Sequence, residues 1–83
     1  MYEIKFDPNA EKFFYKLDKN IQNILGKKLE KLKEKPRLGK PLSGNLAGLW
    51  SLRVNKYRFI YKIINNKLLI IILDLGHRKN IYT

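Results

Sequence analysis

Between Pro36 and Gly48 the spacing of apolar residues changes from helical to extended, and no other feature of the chain constrains its fold so tightly. Ahead of that segment Ala10, Phe13, Phe14 and Leu17 fall at i, i+3, i+4 and i+7, which makes one apolar helical stripe. Ile21, Ile24, Leu25, Leu29 and Leu32 make a second, with Lys27, Lys28, Lys31, Lys33 and Lys35 mostly outside it and Glu30 and Glu34 placed to pair locally with them. Asp7-Pro8 supplies an N-cap and a first-turn proline for the first helix, and Asp18 can cap the second. So short a junction makes the two helices turn back on each other as a hairpin.

Pro36, Gly39, Pro41, Gly44 and Gly48 cannot sustain a helix, so this stretch is a connector that Leu42 and Leu46 pin to the core. Beyond it, three β-rich runs, Leu49 to Val54, Tyr57 to Ile64 and Lys67 to Leu75, are separated by Asn55-Lys56 and Asn65-Asn66, each of which reads as a tight turn. Residues 2 to 6 also alternate, with Ile4 and Phe6 on one side and Glu3 and Lys5 on the other. The expected fold class is therefore α+β. It is a compact β-α-α-β-β-β domain spanning 1–83, with an antiparallel sheet and a helical hairpin packed on one face.

A chain of 83 residues buries a small core and has little room for an enclosed substrate cavity, which excludes a large multi-substrate enzyme. With no Cys and a single His it is expected to hold no metal and no cofactor. Met1 to Phe6 mixes Glu and Lys with apolar residues, unlike a signal peptide, and the longest apolar run, Leu68 to Leu73, is too short to cross a bilayer. The expected location is the cytoplasm. The 18 Lys and Arg against 7 Asp and Glu leave a formal net charge of +11. A base composition rich in A and T would add lysines, but it would not remove acids, so the excess points to a polyanion. A solvated surface or an acidic protein partner is the alternative.

A two-residue Asn55-Lys56 turn sets Val54 opposite Tyr57, Arg53 opposite Arg58, Leu52 opposite Phe59 and Trp50 opposite Tyr61. Trp50, Leu52, Val54, Tyr57, Phe59 and Tyr61 then share one face, the seat for the helices, and the aromatics among them read as core rather than as a nucleotide platform. The other face carries Arg53 beside Arg58. Like charges directly opposite each other on a sheet repel, so this pair calls for a phosphate, unless Asp74 or a Glu neutralises one of them.

Continued across the second turn, the same register sets Ile64 opposite Lys67, Phe59 opposite Ile72 and Tyr57 opposite Asp74. Gly76, His77, Arg78 and Tyr82 then run toward the arginine end of the sheet. Simple alternation would place Arg78 on the apolar face, so convergence needs a bend, expected at Gly76. The last strand is apolar on both sides, as in a central strand or a surface that awaits a partner.

Leu49-Trp50-Ser51-Leu52-Arg53-Val54, Tyr57-Arg58-Phe59-Ile60-Tyr61, Leu75-Gly76-His77-Arg78 and Tyr82 together resemble the RelE/ParE superfamily of bacterial and archaeal toxins, and the likeness spans almost the whole chain. In that superfamily the RelE branch cleaves messenger RNA in the ribosomal decoding site. The ParE branch inhibits DNA gyrase, and both are silenced by a cognate antitoxin. The resemblance implies a ribosome-dependent mRNA endonuclease with a RelB-like antitoxin as partner. A ParE-like gyrase inhibitor without catalysis of its own is the alternative.

By the same resemblance Arg58, Arg78 and Tyr82 are expected catalytic residues and Arg53 a basic strand residue of the site; His77 joins the catalytic set on chemical grounds alone, and Arg53, Lys56 and Lys79 are the expected contacts to RNA and phosphate. Arginines suit the charge of a phosphorane but cannot take a proton, which leaves His77 and Tyr82 for proton transfer, with lysines as weaker candidates. An ordinary polar strand end for His77, and an aromatic that packs or stacks for Tyr82, are the plainer readings. Two positions depart from the family pattern. Ser51 stands where some RelE toxins carry a lysine, and His77 stands where some carry a lysine before the last arginine. The carboxy-terminal helix of some relatives also has no counterpart before Thr83.

Overall fold

A computed structural model of the chain describes residues 1–77; Arg78, Lys79 and Tyr82 lie outside the described residues. Strand β1 (Glu3–Phe6) leads into helix α1 (Pro8–Lys16) and helix α2 (Lys19–Glu34). Both helix starts follow from their caps. The Asp7 carboxylate accepts from the Asn9 N–H with Pro8 in the first turn, and the Asp18 carboxylate accepts from the Asn20 N–H. At the junction Gln22 Nε2 donates to the Leu17 carbonyl at 2.8 Å, which ties the end of α1 to the start of α2.

The connector is more ordered than a plain loop. Short 3₁₀ turns at Pro36–Leu38 and Gly44–Leu46 flank a two-residue strand, β2 (Lys40–Pro41). Strands β3 (Trp50–Val54), β4 (Tyr57–Ile64) and β5 (Leu69–His77) follow. The five strands form one sheet in the order β1-β5-β4-β3-β2.

Here the fully antiparallel expectation is corrected, because β1 pairs with β5 in parallel, with Ile4 opposite Ile70 and Phe6 opposite Ile72. A parallel neighbour needs a crossover, and the helical hairpin and the β3–β4 meander together supply it. The sheet is therefore mixed, and β5 is a central strand bonded on both sides.

The helices cover one face. Ala10, Leu25, Leu29 and Leu32 bury against Leu52, Val54, Tyr57, Phe59, Tyr61, Ile70, Ile72 and Leu75. Phe13 adds an edge contact to Tyr57 with ring centroids 6.3 Å apart. Ile24 departs from its expected stripe and stays 42% exposed. Glu30 and Lys33 pair at 3.0 Å on the solvent side of α2.

Two register expectations fail for local reasons. After Ile64 the chain makes a 3₁₀ turn over Asn65–Lys67, and Leu68 then adopts a left-handed conformation with φ 49°. Ile64 therefore faces Leu69 rather than Lys67. Farther along, the pairing slips between Ile60 and Tyr61 of β4: Tyr61 faces Ile72 while Ile60 faces Asp74, leaving Leu73 as the extra residue of a bulge. Phe59 consequently faces Leu75, Arg58 faces Gly76 and Tyr57 faces His77. The irregularity expected at Gly76 is at Leu73.

That bulge reverses the alternation of β5. Ile70 and Ile72 point into the core before it, and Leu75 does so after it. No described helix is long and apolar enough to cross a membrane.

Candidate functional site

The hairpin β3–β4 has the register that its two-residue turn dictates, with Arg53 opposite Arg58 on the face away from the helices. Asn55 takes the left-handed turn position at φ 56°, which asparagine tolerates. Lys56 is exposed in the same turn.

Arg53 is exposed and Arg58 half-buried. Arg58 Nη1 donates to Ser51 Oγ at 3.2 Å, so the serine, only 7% exposed, helps orient the guanidinium. Asp74, weighed above as a partner for an arginine, accepts from the Leu75 N–H through its carboxylate at 2.9 Å.

These groups surround a concavity of about 310 Å³ lined by Leu38, Gly39, Lys40, Ser51, Leu52, Arg53 and Arg58. Three of the seven lining residues are cationic and none is acidic. Leu38, Gly39 and Lys40 are lining residues that the sequence reading did not place at the site. Their signal was faint: a lone lysine between turn-forming residues, in a segment read only as a connector.

The connector comes here because Tyr61, fully buried beneath it, holds it on two hydrogen bonds. The phenol donates to the Pro36 carbonyl at 2.7 Å and accepts from the Gly39 N–H at 3.1 Å. Glycine suits position 39, since a Cβ there would run into the Ser51 carbonyl and the Tyr61 hydroxyl. Burial raises the Tyr61 pKa above its ordinary 10.0, and the Gly39 hydrogen bond opposes this in part. The phenol is therefore neutral under ordinary conditions and able to donate. Lys40 then pairs with Ser51, and Pro41 with Trp50.

His77 does reach the arginine end of the sheet, but on the other side. It faces Tyr57 in the register, and the two rings lie 5.2 Å apart, on the face that carries the helices. The Leu73 bulge turns His77 toward the helical face and sets Gly76 outward beside Arg58. Among the described residues no group of three or more His, Cys, Asp or Glu side chains could hold a metal ion.

The helical hairpin, the sheet topology and the opposed arginine pair fit the RelE/ParE resemblance carried by the sequence. The chain belongs to the family described as ParE toxin of type II toxin-antitoxin system, parDE, whose model matches residues 4–82. It is 34% identical to Toxin RelG of Mycobacterium tuberculosis over 98% of this chain and 95% of that protein. It is 30% identical to mRNA interferase toxin RelE of Escherichia coli, covering 94% and 84% respectively. The toxin-antitoxin complex RelBE2 from Mycobacterium tuberculosis contains a chain that superposes with a TM-score of 0.84 at 32% identity, covering 95% of this chain and 93% of that one.

Proposed function

We propose that this chain is a ribosome-dependent mRNA endonuclease, held inactive by a RelB-like antitoxin. The observation that carries the reading is Arg53 set opposite Arg58 in a cationic concavity that no described carboxylate lines. Two guanidinium groups held side by side match the non-bridging oxygens of one phosphodiester. The kinship to a protein named mRNA interferase supplies the substrate class.

The reaction is internal transesterification of RNA. The ribose 2′-oxygen bonds to phosphorus while the bond from phosphorus to the 5′-oxygen breaks. The 2′-proton leaves to a base, the 5′-oxygen gains one, and the products are a 2′,3′-cyclic phosphate and a 5′-hydroxyl. Arg53, Arg58 and Arg78 carry the charge of the phosphorane, and Lys56 and Lys79 hold flanking phosphates. The site is shallow and open, so the ribosome supplies much of the substrate positioning. Proton transfer falls to Tyr82. His77 lies against Tyr57 on the far side of the sheet from the arginine pair, which suits it to ordering the strand end that leads to Arg78.

Replacing Arg58 by Ala is expected to lower single-turnover cleavage on programmed ribosomes by on the order of 100-fold, with the circular dichroism spectrum unchanged. Cleavage at the wild-type rate by that variant would remove the concavity as the active site.

A second reading, a gyrase-inhibiting toxin without catalysis, is favoured by the family description itself, which is that of ParE. Induction in cells followed by primer extension and a plasmid-supercoiling gel separates the two. Cut messages with unaltered topology support the endonuclease, and altered topology with intact messages supports the inhibitor. Co-purification of a small acidic partner encoded beside the chain tests the antitoxin.

A further inference from the structure

Lys40 is the cation of the concavity that the strand hairpin does not supply. It is an exposed residue of the connector, whose backbone is tied on both sides of it. Upstream, the Pro36 carbonyl and the Gly39 N–H are both held by the buried Tyr61 hydroxyl. Downstream, the Leu42 N–H donates to the Leu49 carbonyl at 2.9 Å. Between these ties Lys40 pairs with Ser51, the residue that also receives the Arg58 guanidinium. Lys40 and Arg58 thus flank one small buried serine from two strands, and both line the concavity together with Arg53.

Lys40, Arg53 and Arg58 bring three positive charges to the lining of a space of about 310 Å³. A phosphate there is attracted by all three, and a third cation binds it better than two. We propose that Lys40 is a phosphate-contacting residue of this site, delivered by β2. It uses its ammonium group as a point charge on an oxygen that the paired arginines leave exposed. The inference rests on the phosphodiester reading of the site, but it concerns phosphate binding and can be tested without cleavage.

The experiment is a titration of the isolated full chain with inorganic phosphate, followed by the backbone amide shifts of Gly39, Lys40, Ser51 and Arg58. In the wild type these four amides are expected to move together and saturate. Lys40→Gln is expected to weaken the affinity about tenfold, the scale of one lost charge-assisted contact. Lys40→Arg should keep most of it. Lys40→Gln with Ser51→Lys should recover it by returning an ammonium group to the cavity from the facing position.

Wild-type amides that do not respond to phosphate overturn the proposal, as does Lys40→Gln with unchanged affinity. A loss recovered by neither Lys40→Arg nor the Ser51→Lys pairing also overturns it, because the backbone position rather than the charge would then matter. Cleavage assays on programmed ribosomes with the same variants tell the two readings apart. Phosphate binding that depends on Lys40 in a chain that cuts no message sinks the endonuclease and leaves this inference standing.

Discussion

Tyr61 does two jobs with one side chain. Its ring fills the centre of the core, stacked on Trp50 with centroids 6.4 Å apart, and its hydroxyl fastens the connector that carries Lys40. Tyr61→Phe keeps the ring and removes the hydroxyl, which leaves the Gly39 N–H and the Pro36 carbonyl without that partner. The expected cost is about 1–3 kcal/mol, read from urea unfolding at neutral pH. The pH dependence has a definite sign. Because burial holds the folded-state pKa of Tyr61 above its ordinary 10.0, the folded chain keeps that proton where the unfolded chain loses it. The stability this contributes is complete below pH 10 and falls as the pH rises through the raised folded-state value. The advantage of wild type over Tyr61→Phe should therefore shrink above about pH 10. An advantage that stays constant to higher pH would show that the phenol is not held neutral.

At the scale of elements, the β4–β5 connection holds backbone strain. Leu68 sits at φ 49°, a conformation that costs a residue with a Cβ about 1–2 kcal/mol. Its side chain is half exposed and so gains little burial in return. Leu68→Asn is expected to raise stability by about 0.5–1 kcal/mol, because asparagine tolerates this region. A thermal midpoint below that of wild type would show that the leucine side chain contributes more packing than its exposure suggests. The contrast with the β3–β4 turn is instructive. There Asn55 already occupies the left-handed position, and the register came out as the residues foretold. After Ile64 two asparagines look like a tight turn, but the left-handed residue is Leu68, which no local preference marks.

Over the whole molecule the formal charge of +11 is distributed so that the helical face is sprinkled with lysines while the open face gathers cations in one hollow. These make different demands on salt. If the concavity holds one phosphate and Lys56 and Lys79 hold one flanking phosphate each, binding to a single-stranded oligonucleotide falls with a log–log salt slope of about −2, or roughly twentyfold between 50 and 200 mM. Fluorescence anisotropy with a 2′-deoxy oligonucleotide, which cannot be cleaved, measures that slope. A slope near zero would assign the charge to solvation alone. A much steeper one would bring the lysines of α2 into the interface.

What the sequence determined by itself is local in cause. The helix starts follow from Asp7 and Asp18, the helical stripes from the spacing of leucines and phenylalanines, and the Arg53–Arg58 pairing from a turn only two residues long. Each depends on residues a few positions apart, so each can be read along the chain. The parallel seating of β1 on β5, the Leu73 bulge that sends His77 to the helical face, and the arrival of Lys40 beside Ser51 were decided only by the tertiary structure. They join residues far apart in sequence, and they are settled by which arrangement buries Ile70, Ile72 and Leu75 together and satisfies the Tyr61 hydroxyl. Such competition between distant contacts leaves no periodic mark. Two of the three cations of the basic site were therefore legible as a hairpin motif, while the third looked like an ordinary lysine in a loop.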